Sequence, residues 1–286
     1  MKNLKTLVLL GIIQLIVVNV FAQGGTGVSV QPLPYQEVHS RNDKPMPYQF
    51  VREADVMWSR IIWRKIVLSE KMNHILALPS IPTNGVTSLI DVLLDGIHTK
   101  GLTAYKAGLF DAGNEFDNIM TEDEIHQAMG SKTEKRVQEN LEGGYDTVVI
   151  NQTYSSSEIG EYLVKELWFF DKQRSVLEVR IIGICPVRVY LDPEKNATVR
   201  KKVFWVNYSE ARPLLAKAPI YNPYTDVRSI TFDDLFQRRF FSSFIYMESN
   251  PYRREIAAYE VGLEVLLEAD RIKNEIFNFE QDLWEY

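Results

Sequence analysis

The chain is 286 residues long, with 24% charged and 45% hydrophobic residues and a mean hydropathy of -0.17, which excludes a disordered polyelectrolyte, a fibrous repeat and a multi-span membrane protein. Thirty-two basic against 38 acidic residues leave a net charge of -6 and a pI near 5.4, a poor electrostatic match for nucleic acid or an anionic membrane surface. A single cysteine, Cys185, excludes an intrachain disulfide and a cysteine-based zinc cage, and its place in the apolar run Val179–Val187 predicts a buried core thiol.

The N-terminus reads as an address. Lys2 and Lys5 precede an apolar run from Leu7 to Phe21, and Val20-Phe21-Ala22 supplies a cleavage site. This predicts a secretory signal peptide over residues 1–22, cut after Ala22, and a mature chain in the periplasm or outside the cell. Gln14 and Asn19 interrupt the run, which argues against a retained membrane anchor. Residues 23–52 then predict an extended Pro/Gly-rich arm, since Pro32, Pro34, Pro45 and Pro47 forbid a helix. Tyr35, Tyr48 and Phe50 are interleaved with these prolines. The segment reads either as a mobile leader or as an arm that lays its aromatics on a partner.

Residues 53–286 read as one globular body of α+β class. Met57, Ile61, Leu68, Met72 and Ile75 at helical spacing predict a long N-terminal helix over 53–76, with Trp63 on its charged side. Such a tryptophan is either capped by a neighbouring element or offered to a partner. Capped helix starts are expected at Ser88 and Thr231, and another helix is expected to open at Thr121. Central antiparallel strands are expected at Thr147–Asn151, Glu161–Asp171, Ser175–Val187 and Val203–Tyr208, and a further strand at Phe240–Met247. Lys172-Gln173-Arg174 makes a hairpin of the second and third, and Pro186 should end the third or put it at an edge. Asn250 and Pro251 then predict the start of a long C-terminal helix with Ile256, Tyr259, Leu263, Leu266 and Leu267 on its core face, continued by Ile272, Ile276 and Phe279 toward Trp284. Trp63, Ser88 and Tyr105 are echoed by Trp205, Thr231 and Tyr246, which a weak internal duplication or chance would explain.

Chemical signatures are missing from the sequence. His39, His74, His98 and His126 form no metal-binding pair, and no nucleophile elbow, phosphate loop or dinucleotide turn is present. The acidic stretch Asp111–Glu124 places Phe116 where a calcium loop needs glycine, so it reads as a solvated loop and a helix start. No catalytic residue, metal or cofactor is therefore expected. The short basic clusters Arg200-Lys201-Lys202, Arg238-Arg239 and Arg253-Arg254 read as solvated faces, or as anchors for an acidic partner or wall polymer. Ala218–Tyr224 carries Pro219, Pro223, Tyr221 and Tyr224 on loop-like text, and tyrosine is a residue type enriched at binding hot spots.

A longer pattern is more specific than any of these. Trp168-Phe169-Phe170-Asp171-Lys172-Gln173-Arg174-Ser175, Arg180-Ile181-Ile182-Gly183-Ile184-Cys185-Pro186 and Phe204-Trp205-Val206 follow one another. Glu210-Ala211-Arg212-Pro213-Leu214-Leu215-Ala216, Thr231-Phe232-Asp233-Asp234-Leu235-Phe236 and Asp282-Leu283-Trp284 come next. With Ile62-Trp63-Arg64, Glu70-Lys71-Met72-Asn73 and Ser88-Leu89-Ile90-Asp91, the chain over roughly 53–286 resembles the GldN/PorN family of the Bacteroidetes type IX secretion and gliding-motility machinery. The resemblance implies a periplasmic, non-enzymatic subunit. It would form a ring with an outer-membrane lipoprotein (GldK/PorK) and meet the periplasmic end of an inner-membrane motor component (GldM/PorM). Aromatic residues off the expected core stripes, Tyr35, Tyr48, Phe50, Trp63, Tyr221 and Tyr224, are the expected partner contacts. The rival readings are a periplasmic cell-wall hydrolase with an unrecognised carboxylate pair and a peptidoglycan-binding module.

Overall fold

The computed structural model describes residues 44–82, 85–108, 114–139, 145–152, 156–192, 196–221, 230–252 and 254–283, with 132–139 and 145–152 as backbone alone. Contacts divide the chain between Glu37 and Val38, and every described residue lies in the second unit. The signal peptide, Tyr35, Tyr224 and residues 109–113 of the acidic stretch lie outside the described residues.

Most of the described body is a seven-stranded antiparallel sheet. Its strands are β1 (Val56–Val67), β2 (Ala104–Lys106), β5 (Ile159–Asp171), β6 (Val176–Asp192), β7 (Ala197–Lys202), β8 (Phe204–Asn207) and β9 (Phe244–Glu248). The order is β2-β8-β6-β5-β1-β9, with β7 beside the far end of β6. A separate two-stranded sheet pairs β3 (Lys132–Glu139) with β4 (Tyr145–Gln152). The helices are α1 (His74–Ala77), α2 (Leu89–Lys100), α3 (Glu122–Met129), α4 (Tyr208–Leu215), α5 (Phe232–Gln237) and α6 (Leu263–Asp282).

The expected long N-terminal helix does not exist, and this corrects the α+β reading. Residues 56–67 are a central strand, hydrogen-bonded to β5 along its length and to β9 over Ile62–Lys65. Five β-branched residues and two tryptophans in twelve positions suit a pleated surface buried on both sides. The helical spacing was coincidental, because a strand covered on both faces need not alternate. The charges that suggested a solvated helix face are partnered: Arg60 bonds Glu248 at 3.0 Å, and Arg64 Nε donates to Ser243 Oγ at 2.9 Å.

The C-terminal helix is also shorter than expected. Asn250 caps a local turn by accepting from the Arg254 amide at 3.2 Å, Ile256–Ala258 is a single 3-10 turn, and α6 begins only after Gly262, whose φ is 65°. Ala269, Ile272 and Ile276 are its buried residues, while Leu263, Leu266 and Leu267 are exposed.

β6 does not end at Pro186 but runs to Asp192. Its neighbour on that edge is broken there instead: β8 pairs with Gly183 and Ile184, and β7 with Val187–Asp192. The proline's missing N–H therefore falls in the gap between two partner strands, where no ladder bond is lost. The Trp–cap–Tyr echo falls on β1, α2 and β2 and on β8, α5 and β9. The two tryptophan strands differ in length, twelve residues against four. Each tyrosine strand pairs with the other set's tryptophan strand, so neither set is a self-contained repeat.

The sheet's two faces are built differently. On one, Ile66, Tyr162, Val164, Ile184 and Val206 pack under α2, α4 and α5, and Ile62 and Ile245 pack against Ile272 and Ile276 of α6. Side-chain caps start α2 and α5: Ser88 accepts from the Asp91 amide and Thr231 from the Asp234 amide. The opposite face carries a smaller cluster, Trp63, Leu163, Cys185, Val187, Trp205, Tyr246 and Met247. Here the cover is a loop. After β2 the chain returns so that Tyr105 bridges Ile119, which lays Glu115 and Phe116 on the sheet. Gly183 leaves room for that ring, since a Cβ there would lie 2.6 Å from Phe116 Cζ and 3.0 Å from the Val206 carbonyl oxygen.

Candidate functional site

The loop-covered face holds a buried polar knot and an open groove. Trp63, on β1, is only 3% exposed. Its indole N–H donates to Glu115 Oε1 at 2.8 Å, and Lys165, directly opposite on β5, donates from Nζ to Glu115 Oε2 at 2.5 Å. The same ammonium stands 5.2 Å from the Trp63 ring centre and 5.7 Å from that of Phe116. Both ends of the carboxylate are thus satisfied in the dry interior, which a buried ion pair requires. Trp63 is fastened under the acidic loop, and the folded chain does not present it at the surface.

Beside this knot lies a groove of about 950 Å³. Leu163, Val187, Tyr246 and Met247 line it from the strands. Arg200 and Lys202 of β7 flank it on one side, and the connection from Tyr252 to Ala258, with Arg254 and Glu255, flanks it on the other. Lys201 lies between Arg200 and Lys202 in the strand, paired with Arg188, and its side chain alternates to the opposite face. With Lys65 and Glu161, four cations and two carboxylates face the groove among the described residues. Both carboxylates are occupied. Glu161 accepts from Arg200 Nε at 2.8 Å and pairs with Lys65 at 3.6 Å, and Glu255 pairs with Lys202 at 3.6 Å. The Arg254 guanidinium is held over Tyr252 at 4.7 Å and faces Tyr259 at 5.6 Å. The fold therefore brings Arg200 and Lys202 together with Arg254, some fifty residues away in sequence. Both basic clusters were visible in the sequence, but nothing local to either shows that members of the two converge, and no sequence signal singled out Glu115 or Lys165.

The expected aromatic contacts fall in different places. Tyr48 is half-buried between two guanidiniums, with Arg212 Cζ 4.4 Å and Arg180 Cζ 5.1 Å from its ring centre. Its hydroxyl accepts from Gln237 Nε2 at 2.9 Å. Adjacent main chain is held too, as the Met46 carbonyl accepts from Arg212 at 2.7 Å and the Gln49 carbonyl from Arg180 at 2.6 Å. Arg212 is oriented by a two-bond pairing with Asp233 at 3.0 and 3.1 Å, and Asp233 also accepts from the Tyr208 hydroxyl at 2.8 Å. Burial opposes the charge on Arg212, but hydrogen bonding and attraction from Asp233 outweigh it, so its pKa is raised. Burial, with Asp233 beside it, raises that of Tyr208. Phe50, 88% exposed, lies free on the same arm, and Tyr221 is 38% exposed. The structure does not bring Tyr48, Phe50, Trp63 and Tyr221 to one surface. Among the described residues no group of His, Cys, Asp and Glu side chains forms a metal cluster, and no helix is long and apolar enough to cross a membrane.

No curated protein matches the chain in sequence. The sequence profile described as gliding motility associated protein GldN matches residues 51–285 and so spans the sheet, its helices, the knot and the groove. The chain belongs to the GldN family of gliding motility associated proteins.

Proposed function

We propose that the chain is a non-catalytic docking subunit of the type IX secretion and gliding machinery. It works in the periplasm at the outer membrane, held there by a GldK/PorK-like lipoprotein, touches a GldM/PorM-like motor component, and self-associates in a ring. The observation that carries this reading is the family match over residues 51–285. The signal-peptide pattern of residues 1–22 supports export. A docking role also suits a body whose open groove presents fixed cations over an apolar floor, with both of its described carboxylates already in ion pairs.

The test is co-purification. The mature chain, expressed with the lipoprotein and exported, is expected to elute with it in an assembly far larger than either alone. Two folded proteins that elute separately would overturn the reading. Release of sugar from wall sacculi by the pure chain would favour the hydrolase instead.

A further inference from the structure

We propose that the basic groove on the loop-covered face of the sheet is a docking site for an extended acidic polypeptide segment of a partner protein. The inference rests on the reading of the chain as a docking subunit and names the chemistry of one contact.

Charge supplies the first argument. The chain as a whole carries -6, yet four cations meet two carboxylates among the described groups that face this groove. Those carboxylates neutralise Lys65, Arg200 and Lys202 in part, and among the described residues Arg254 has no carboxylate partner. A local surplus of positive charge against the molecular net charge focuses attraction on an anionic partner.

The layout of the charges argues for a chain. Arg200 and Lys65 gather at Glu161 on the strands, Lys202 reaches Glu255 across the groove, and Arg254 is fixed over Tyr252. The cations thus stand at separate stations instead of converging on one point, as a single phosphate would require. Carboxylates spaced along an extended backbone match separate stations, and Leu163, Val187 and Met247 between them can seat an aliphatic side chain. Arg254 already lies over Tyr252 and faces Tyr259, contacts that favour one placement of its guanidinium before a ligand arrives.

A fluorescein-labelled peptide of repeated Glu-Glu-Leu, read by anisotropy on the full mature chain, tests the proposal against a Gln-Gln-Leu peptide of equal length. The acidic peptide should bind and the neutral one should not. Binding should weaken by about tenfold or more in the double charge reversal Lys202→Glu with Arg254→Glu, and should fall with rising salt. Lys71→Glu, off the groove, should leave binding unchanged. Circular dichroism checks that each variant folds, and the milder pair Lys202→Gln with Arg254→Gln serves if the reversal does not. Absence of peptide binding, or binding indifferent to the groove variants, would overturn the proposal. Tighter binding to phosphatidylglycerol vesicles or soluble peptidoglycan fragments than to the peptide would overturn it in favour of those ligands. Loss of peptide binding with intact lipoprotein co-elution removes only this contact; loss of co-elution with peptide binding retained removes the wider reading.

Discussion

At the scale of single residues, the decisive group is Glu115. It is one of six acids between Asp111 and Glu124 and in sequence looks as solvated as the others. In the fold it is 1% exposed and satisfies both Trp63 and Lys165. Its burial follows from where Tyr105 and Ile119 bridge, which no local pattern encodes. Breaking a buried pair leaves an uncompensated charge, whereas replacing both partners by apolar groups does not. Glu115→Gln is therefore expected to cost about 3 kcal/mol in urea unfolding, by stranding the Lys165 ammonium. Glu115→Leu combined with Lys165→Met should recover part of that loss, because neither buried charge remains and only the Trp63 indole N–H loses its acceptor. If the double variant is as unstable as the single one, the pair is not what holds the acidic loop down.

At the scale of elements, legibility followed how much of the signal was local. The caps at Ser88 and Thr231 were readable because a capping hydroxyl and its target amide are three residues apart. The β5–β6 hairpin was readable for the same reason, with Lys172–Ser175 joining strands that pair from Asp171 and Val176 onward. β1 was not readable, since Arg60 and Lys65 are neutralised by Glu248 and Glu161, far away in the chain. The C-terminal helix was half readable. Leu263, Leu266 and Leu267 have helical spacing and look like core together with Ile272 and Ile276, but only the later residues of that stripe are docked. That difference is measurable. Ile272→Ala, at a fully buried site beneath the sheet, should lose about 2–4 kcal/mol. Leu266→Ser with Leu267→Ser should stay within about 0.5 kcal/mol per site, as surface changes do. Equal losses at the two places would mean the start of α6 is covered after all.

At the scale of the whole molecule, the pH response follows from carboxylates held in their charged form. Asp171 lies below its ordinary range chiefly through the hydrogen bond from Arg174 at 2.7 Å, with the Gln173 amide adding to it. Glu268 is lowered by Arg271, Asp95 by Lys100 and Glu124 by Lys106. A group whose folded pKa is depressed adds stability that is complete above its unfolded value. That contribution disappears as the pH falls through the folded value. The unfolded values are about 3.9 for Asp and 4.3 for Glu, so stability should be level through neutrality and decline below about pH 4. These contributions are spread over the hairpin, α2, the start of α3 and α6, so the decline should be one cooperative loss and not the release of a single element. Asp171→Asn isolates one of them. It should be less stable than the parent at pH 7, and the gap should narrow as the pH falls below the ordinary carboxylate range and the parent carboxylate begins to take up a proton. Urea melts of both proteins from pH 2 to pH 7 check this; a gap that stays constant over that range would mean Asp171 acts through its shape and not through its charge.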